Sequence, residues 1–86
     1  MNSTPRLQAC IGAEMKRLRI ARNLSLRDFA ELAGIGKAQL CRMEKGHINL
    51  TLETMVYVCN GLGVDVADFF HNAINRQAAV ESVQED

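Results

Sequence analysis

The residues of this sequence that could do chemistry lie close together, between Lys37 and Lys45. In a helix, which turns by about 100° per residue, Leu40 and Met43 of this segment would point inward. The opposite face would then present small or cationic side chains, namely Ala38, Cys41, Arg42 and Lys45, with Lys37 and Gln39 on its flanks. Arginine and lysine can donate hydrogen bonds to guanine O6 and N7 in a major groove about 12 Å wide. The alternative is an ordinary solvated helix face, and the stripe alone does not decide between the two.

Other arrangements that carry chemistry are missing from the sequence. The three cysteines form no C-x-x-C pair, and neither His47 nor His71 stands at metal-ligand spacing from a cysteine. We interpret the cysteines as reduced, small apolar residues and the histidines as surface residues. Because there is also no nucleophile–base pair and no phosphate-binding glycine loop, we expect no enzymatic activity, no metal and no cofactor.

Cys41 has two interpretations. It borders the cationic stripe beside Arg42, and cations near a thiol favour the reactive thiolate, which would suit a redox-gated regulator. The plainer interpretation is that cysteine replaces a serine of similar size.

Charge is distributed unevenly along the 86 residues, although the net charge is zero. Residues 1–49 hold nine basic and four acidic side chains, whereas residues 50–86 hold one basic and six acidic side chains. A molecule with a basic end can present one face to a polyanion. There is no apolar run of the roughly 18 residues that a membrane span needs, so we expect a cytoplasmic, nucleoid-associated protein.

Helical periodicity and capping residues divide the chain into five helices, with no strand pattern. The first begins at Thr4-Pro5, carries Leu7, Ile11, Met15 and Leu18 on one face and ends around residues 22–23. Ser25, Thr51 and Asp65 are predicted to cap the second, fourth and fifth helices. On the fourth helix we expect Leu52, Met55, Val56, Cys59 and Leu62 to point inward. The sequence therefore predicts a compact all-α fold.

The second and third helices are joined by a short glycine-containing turn, which is the helix-turn-helix arrangement. Small Ala30 allows close approach, Gly34 allows the backbone to reverse, and Ile35 helps Leu40 and Met43 to anchor the third helix. We expect residues 11–75 to form this domain. Residues 1–10 would be an N-terminal extension or the start of the first helix, and residues 76–86 an acidic C-terminal tail.

The stretch from Ile11 to Phe70 resembles the Cro and phage-repressor (XRE-type) helix-turn-helix family. The matching segments read IGAEMKRLR, LSLRDFAELAGIGKAQLCRMEKG and TLETMVYVCNGLGVDVADFF. Their ordered combination, including Arg19, the spacing from Ala30 to Gly34 and Glu44-x-Gly46, covers about sixty residues. The resemblance implies a five-helix, lambda-repressor-like DNA-binding fold with the helix-turn-helix at helices 2 and 3.

The resemblance also implies roles for individual residues on double-stranded DNA. Bases would be read by the start of the third helix and one turn onward, at Lys37, Ala38, Gln39 and Arg42. The DNA backbone would be held by Ser25, Lys45, His47 and Asn49. Arg19 and Glu44 would form an internal ion pair with no direct contact to DNA.

Four positions depart from the family pattern. Leu26 stands where a polar residue, commonly glutamine, often contacts phosphate, so one phosphate contact is missing. Gly36 replaces a Ser or Thr cap, Leu50 replaces a common proline, and Cys59 replaces alanine.

One short helix reads too few base pairs for useful discrimination, and family members commonly pair as two-fold dimers. The fifth helix carries an apolar arc of roughly 140°, which makes its residues candidates for a dimer interface: Val66, Phe69, Phe70, Ala73 and Ile74. Since Phe69 and Phe70 are adjacent, one should enter the core and the other should be left for a partner, unless the tail folds back over both. The expected function is a homodimeric regulator on a palindromic operator. The alternative is an antitoxin or a protein-interaction module with a protein partner on the C-terminal segment.

Overall fold

The computed structural model describes the backbone of residues 4–47 and 50–85 and the side chains of residues 6–47 and 50–76. The described residues form five helices and no strand. The helices are α1 (Thr4–Ala21), α2 (Leu26–Ala33), α3 (Lys37–Glu44), α4 (Leu52–Leu62) and α5 (Val66–Glu85). The predicted all-α, five-helix architecture is confirmed. The boundaries expected after residues 10 and 75 both lie inside a helix, α1 and α5 respectively.

Local hydrogen bonds explain where three of the helices begin. The Ser25 hydroxyl oxygen accepts from the backbone N–H of Asp28 at 3.0 Å, and Thr51 accepts from Thr54 at 3.1 Å. The Asp65 carboxylate accepts from two backbone N–H groups in the first turn of α5. These bonds satisfy donors that have no partner inside a helix, as the sequence predicted.

Side chains from all five helices form one aliphatic core with two phenylalanines. The largest buried residues are Met15, Phe29, Leu40, Met43, Met55, Val58, Cys59 and Phe69. Burial of this apolar area is the main force that holds α2 and α3, each only eight residues long, in place.

The prediction for α4 was wrong at two positions. Leu52 and Val56 are 79% and 44% exposed, whereas Val58, which was not singled out, is fully buried. The buried face of α4 is formed by Met55, Val58, Cys59 and Leu62, at spacings of one and two helical turns. Leu52 is the first residue of the helix and Val56 flanks that face, so the core does not cover them.

In the part of the chain that is described, none of the helices combines the length and the apolar character that a membrane span requires.

Candidate nucleic-acid interface

The turn between α2 and α3 is built around Gly34. Its backbone has φ 71° and ψ 31°, the left-handed region in which glycine avoids steric cost. The N–H groups of Gly34 and Ile35 both donate to the carbonyl oxygen of Ala30, at 2.9 and 3.1 Å. The chain therefore leaves α2 and enters α3 within three residues.

Two apolar anchors fix the orientation of α3. Leu40 and Met43 are buried in the core, and Ile35 packs against it from the turn. The N–H of Leu40 donates to the carbonyl oxygen of Gly36 at 2.9 Å, closing the first turn of the helix. The remaining side of α3 must face outward.

That outward side is cationic, as the sequence predicted. Lys37, Ala38, Gln39, Arg42 and Lys45 are all exposed. Within the described part of the protein, none of the three cations among them forms an ion pair. Their positive charge is therefore available to an external anion.

Arg19 and Glu44, for which the resemblance implied an internal ion pair, lie against each other. Arg19 Nε donates to Glu44 Oε2 at 2.7 Å and Nη2 donates to Oε1 at 3.2 Å. Arg19 Nη1 also donates to the carbonyl oxygen of Leu24 at 2.9 Å. The two-pronged contact joins α1 to the end of α3, and it neutralises the one carboxylate of α3.

Three of the four residues expected to hold a DNA backbone are exposed. Ser25 is exposed at the start of α2, and Lys45 and His47 are exposed directly after α3. Asn49 lies outside the described residues. Leu26 packs against the core, which gives a physical reason for an apolar residue at this departure from the family pattern.

Arg27 was not singled out in the sequence. It is exposed in the first turn of α2, two residues after Ser25. The signal that could have revealed it is its position beside a helix N-terminus expected to meet phosphate.

Cysteine environments differ within the fold. All three thiols are free, with Cys10 and Cys59 buried and Cys41 half-buried beside the outward face of α3. Burial raises the pKa of the Cys59 thiol to about 11, with a smaller contribution from the negative charge of Asp65. Cys59 is therefore a neutral core residue at physiological pH.

The five α5 candidates for a dimer interface separate into two groups. Phe69 and Ala73 are 1% and 2% exposed, so they belong to the core of the protomer and a partner cannot reach them. Val66 and Phe70 are half-buried, and Ile74 is 45% exposed. The rings of Phe69 and Phe70 meet edge to face, with centroids 6.3 Å apart, and of the two only Phe70 keeps appreciable exposed surface.

Phe70 also borders an apolar groove that the sequence did not reveal. The groove holds about 170 Å³ between the start of α1, the start of α4 and α5. Its lining includes Leu7, Ile11, Leu50, Leu52 and Met55. The exposed side chains of Leu7 and Leu52 thus line one mainly apolar groove.

A buried carboxylate joins α1 to α5. Glu14 accepts hydrogen bonds from Arg17 at 2.8 and 3.0 Å, and Arg76 Nε lies 3.3 Å from its Oε1. The hydrogen bonds from Arg17 lower the pKa of Glu14 below its usual value, against the opposing effect of burial. This contact fixes part of α5 that the sequence assigned to a tail.

Comparisons with known proteins agree with this geometry. The helix-turn-helix family HTH_3 matches residues 15–69. The clp gene regulator ClgR from Corynebacterium glutamicum is 30% identical, with a TM-score of 0.83 over 93% of this chain and 84% of ClgR. An HTH_3 family transcriptional regulator from Vibrio cholerae is 33% identical, with a TM-score of 0.75 over 80% of this chain and 39% of that chain.

Two further comparisons are less informative, because one supports only the shared fold and the other found no match. The restriction-modification controller protein C.AhdI from Aeromonas hydrophila is 22% identical, with a TM-score of 0.69 over 72% of this chain and 94% of its own. No curated protein matches the sequence significantly.

The family match spans more than half of the chain and includes α2, the turn and α3. The predicted resemblance is confirmed by this match and by the similarity to ClgR over most of both chains. The chain belongs to the HTH_3 family, the XRE-type helix-turn-helix DNA-binding regulators.

Proposed function

We propose that this protein is a sequence-specific transcriptional regulator that binds a palindromic operator in double-stranded DNA as a homodimer. The observation that carries the proposal is the outward face of α3. It is exposed and cationic, its charges are unpaired within the described structure, and buried Leu40 and Met43 hold it in one orientation. The regulators ClgR and that of Vibrio cholerae share this fold at 30% and 33% identity.

In this proposal α3 is the recognition helix and enters the major groove with its N-terminal end. Ala38 stands at that end and Arg42 lies one turn further along on the same groove-facing edge, with Lys37 on the flank of that edge. Arg42 would donate to guanine O6 and N7, and Ala38 would allow close approach to the bases. Gln39 would lie toward the phosphate edge, within reach of a base.

Phosphate contacts would flank the recognition helix on both sides. Ser25 and the first N–H groups of α2 would meet one phosphate, with Arg27 as a cation nearby. Lys45, His47 and Asn49 would grip the backbone beyond the other end of α3. These contacts position the protein and contribute most of the salt dependence of binding.

Pairing of two protomers would place two recognition helices about 34 Å apart, one turn of DNA. Among the described side chains of α5, Val66, Phe70 and Ile74 keep apolar surface for a partner once Phe69 and Ala73 are buried. The neighbouring groove lined by Leu7 and Leu52 extends this surface.

Selection of duplexes from random-sequence DNA tests the proposal. We expect enrichment of an inverted repeat whose half-sites are centred about 10 base pairs apart, or a multiple of this distance. The Lys37→Ala/Arg42→Ala double variant should enrich no sequence while retaining its helical circular dichroism. Absence of any enriched duplex with the wild-type protein would contradict the proposal and favour a protein-interaction role for the same fold.

A further inference from the structure

The first helix meets the recognition helix through backbone atoms. A Cβ atom at Gly12 would overlap the carbonyl oxygen of Met43 and would lie 2.6 Å from that of Glu44. Real Cβ atoms essentially never come this close to atoms of another segment, and both obstructing atoms belong to the main chain of α3. Any side chain at position 12 must therefore push α1 and α3 apart.

Two more contacts join α1 to the same end of α3. At Gly46, where φ is +74°, a Cβ atom would lie 2.9 Å from the Cα of Ala9. Further along α1, Arg19 makes the two-pronged ion pair with Glu44. Three levels of α1, at residues 9, 12 and 19, thus hold the last turn of α3 and the residues that follow it.

At the opposite end of α3 the turn and Leu40 hold the helix, but its first side chains are exposed. Lys37 and Ala38 are exposed, and apart from the two chain neighbours of Gly36 no described atom lies within 4 Å of the place where a Cβ atom of Gly36 would be. The base-reading end of α3 therefore projects from a junction that lies at its other end.

We infer that Gly12 is a positioning residue for DNA reading, because the close approach it allows sets the direction in which α3 projects. This inference rests on the proposed function. An eight-residue helix is about 12 Å long, so a tilt of about 10° at the junction moves its base-reading end by roughly 2 Å. Hydrogen bonds to base edges do not survive such a shift, whereas flexible lysine and arginine side chains can still reach phosphates.

The test compares the binding of Gly12→Ala to two duplexes at one salt concentration. One duplex is the sequence that the wild-type protein enriches from random DNA, and the other is its scrambled counterpart. We expect affinity for the selected duplex to fall about tenfold or more, and affinity for the scrambled duplex to change by less than about twofold. Equal changes on the two duplexes, or no change on either, would overturn the inference.

Val58→Ala is the matched control for lost stability. Val58 is fully buried, but it belongs to α4 rather than to the junction of α1 with α3. At a temperature where both variants are folded, Val58→Ala should keep the wild-type ratio of the two affinities. If it lowers that ratio as much as Gly12→Ala does, loss of stability explains the effect and Gly12 has no special part in DNA reading.

Arg19→Lys decides the matter if Gly12→Ala does not fold. It keeps the positive charge but loses the two-pronged grip on Glu44, so the same junction loosens without a change in net charge. The affinity ratio should fall about threefold or more, and an unchanged ratio would overturn the inference. Failure of the wild-type protein to enrich any duplex would instead be failure of the proposed function, and the inference would fall with it.

Discussion

The third and fifth helices both carry an apolar stripe, but the stripe of α3 is fully buried whereas that of α5 is buried only in part. In α3, both apolar anchors, Leu40 and Met43, are buried, and everything that remains outside is small, polar or cationic. In α5, the apolar arc divides, with Phe69 and Ala73 in the core and Ile74 at the surface. A short helix with a narrow apolar stripe can bury that stripe in only one orientation, so its exposed face can be predicted from the sequence. A wide arc exceeds what the other helices of the domain cover, and the pattern does not say which part is left exposed.

The largest effect on stability is expected for a substitution in the buried part of the α5 arc, and the exposed part provides the comparison. Phe69→Ala should lower the free energy of unfolding by about 3–5 kcal/mol, because it opens a cavity in the core. Ile74→Ala should change the stability of the protomer by less than about 0.5 kcal/mol. Urea titrations at low protein concentration measure both values.

For the association of two protomers, the exposed part of the arc should matter more than the buried part. Ile74→Ala should raise the dissociation constant of the dimer about fivefold or more in sedimentation experiments, since an exposed apolar side chain would lose its partner contact. If Ile74→Ala leaves dimer dissociation unchanged, then α5 is not the dimer interface.

The next largest effect is expected from removing the ionic contact of Glu14 between α1 and α5. Glu14→Gln keeps the shape of the side chain but removes the charge that Arg17 and Arg76 share, so we expect a loss of about 1–3 kcal/mol in unfolding free energy at pH 7. Because the pKa of Glu14 is lowered in the folded state, its stabilisation is present above the unfolded pKa and is lost as the pH falls below about 4.5.

The pH profile checks the sign of this effect. The difference in stability between wild type and Glu14→Gln should shrink as the pH falls from 5 to about 3. Glu31→Gln, at an exposed position in the second half of α2, is the control and should change the stability by less than about 0.5 kcal/mol at pH 7. A constant gap for Glu14→Gln would contradict the depressed pKa.

On the α3 side, Arg42→Ala should weaken binding to the selected duplex by about 1–3 kcal/mol and relax the preference at one base position in each half-site. The reason is the loss of a two-pronged donor to one base. Fluorescence anisotropy with single-base variants of the duplex measures this change. Retention of the full base preference would place base reading elsewhere.

The smallest effect should come from Lys45→Ala, just beyond α3. A contact to phosphate does not depend on base sequence, so affinity should fall by a similar factor for selected and scrambled duplexes. The slope of log affinity against log salt concentration should decrease in magnitude by about 1. If Lys45→Ala instead changes the preferred sequence, Lys45 reads a base.

Features that depend on neighbours in the sequence could be predicted. The caps at Ser25, Thr51 and Asp65 depend on bonds that span three residues or fewer, and the outward side of α3 follows from two anchors on a single turn. The contact between Arg19 and Glu44, 25 residues apart, was implied only by resemblance to a family.

Features that depend on packing between distant segments could not be predicted. The approach of Glu14 to Arg76 joins the first helix to the last, and no local pattern marks it. The exposure of Leu52 and the burial of Val58 depend on which side of α4 meets α2 and α5. The close approach at Gly12 likewise requires the placement of α3, because nothing around position 12 distinguishes it from an ordinary helical glycine.

Replacement of single guanines in the selected duplex by 7-deazaguanine tests the central claim most directly, because it removes only the N7 acceptor in the major groove. We expect one position in each half-site where wild-type affinity falls about fivefold or more while the affinity of Arg42→Ala is unchanged. If both proteins lose the same factor at every guanine, Arg42 on the outward edge of α3 does not read the major groove.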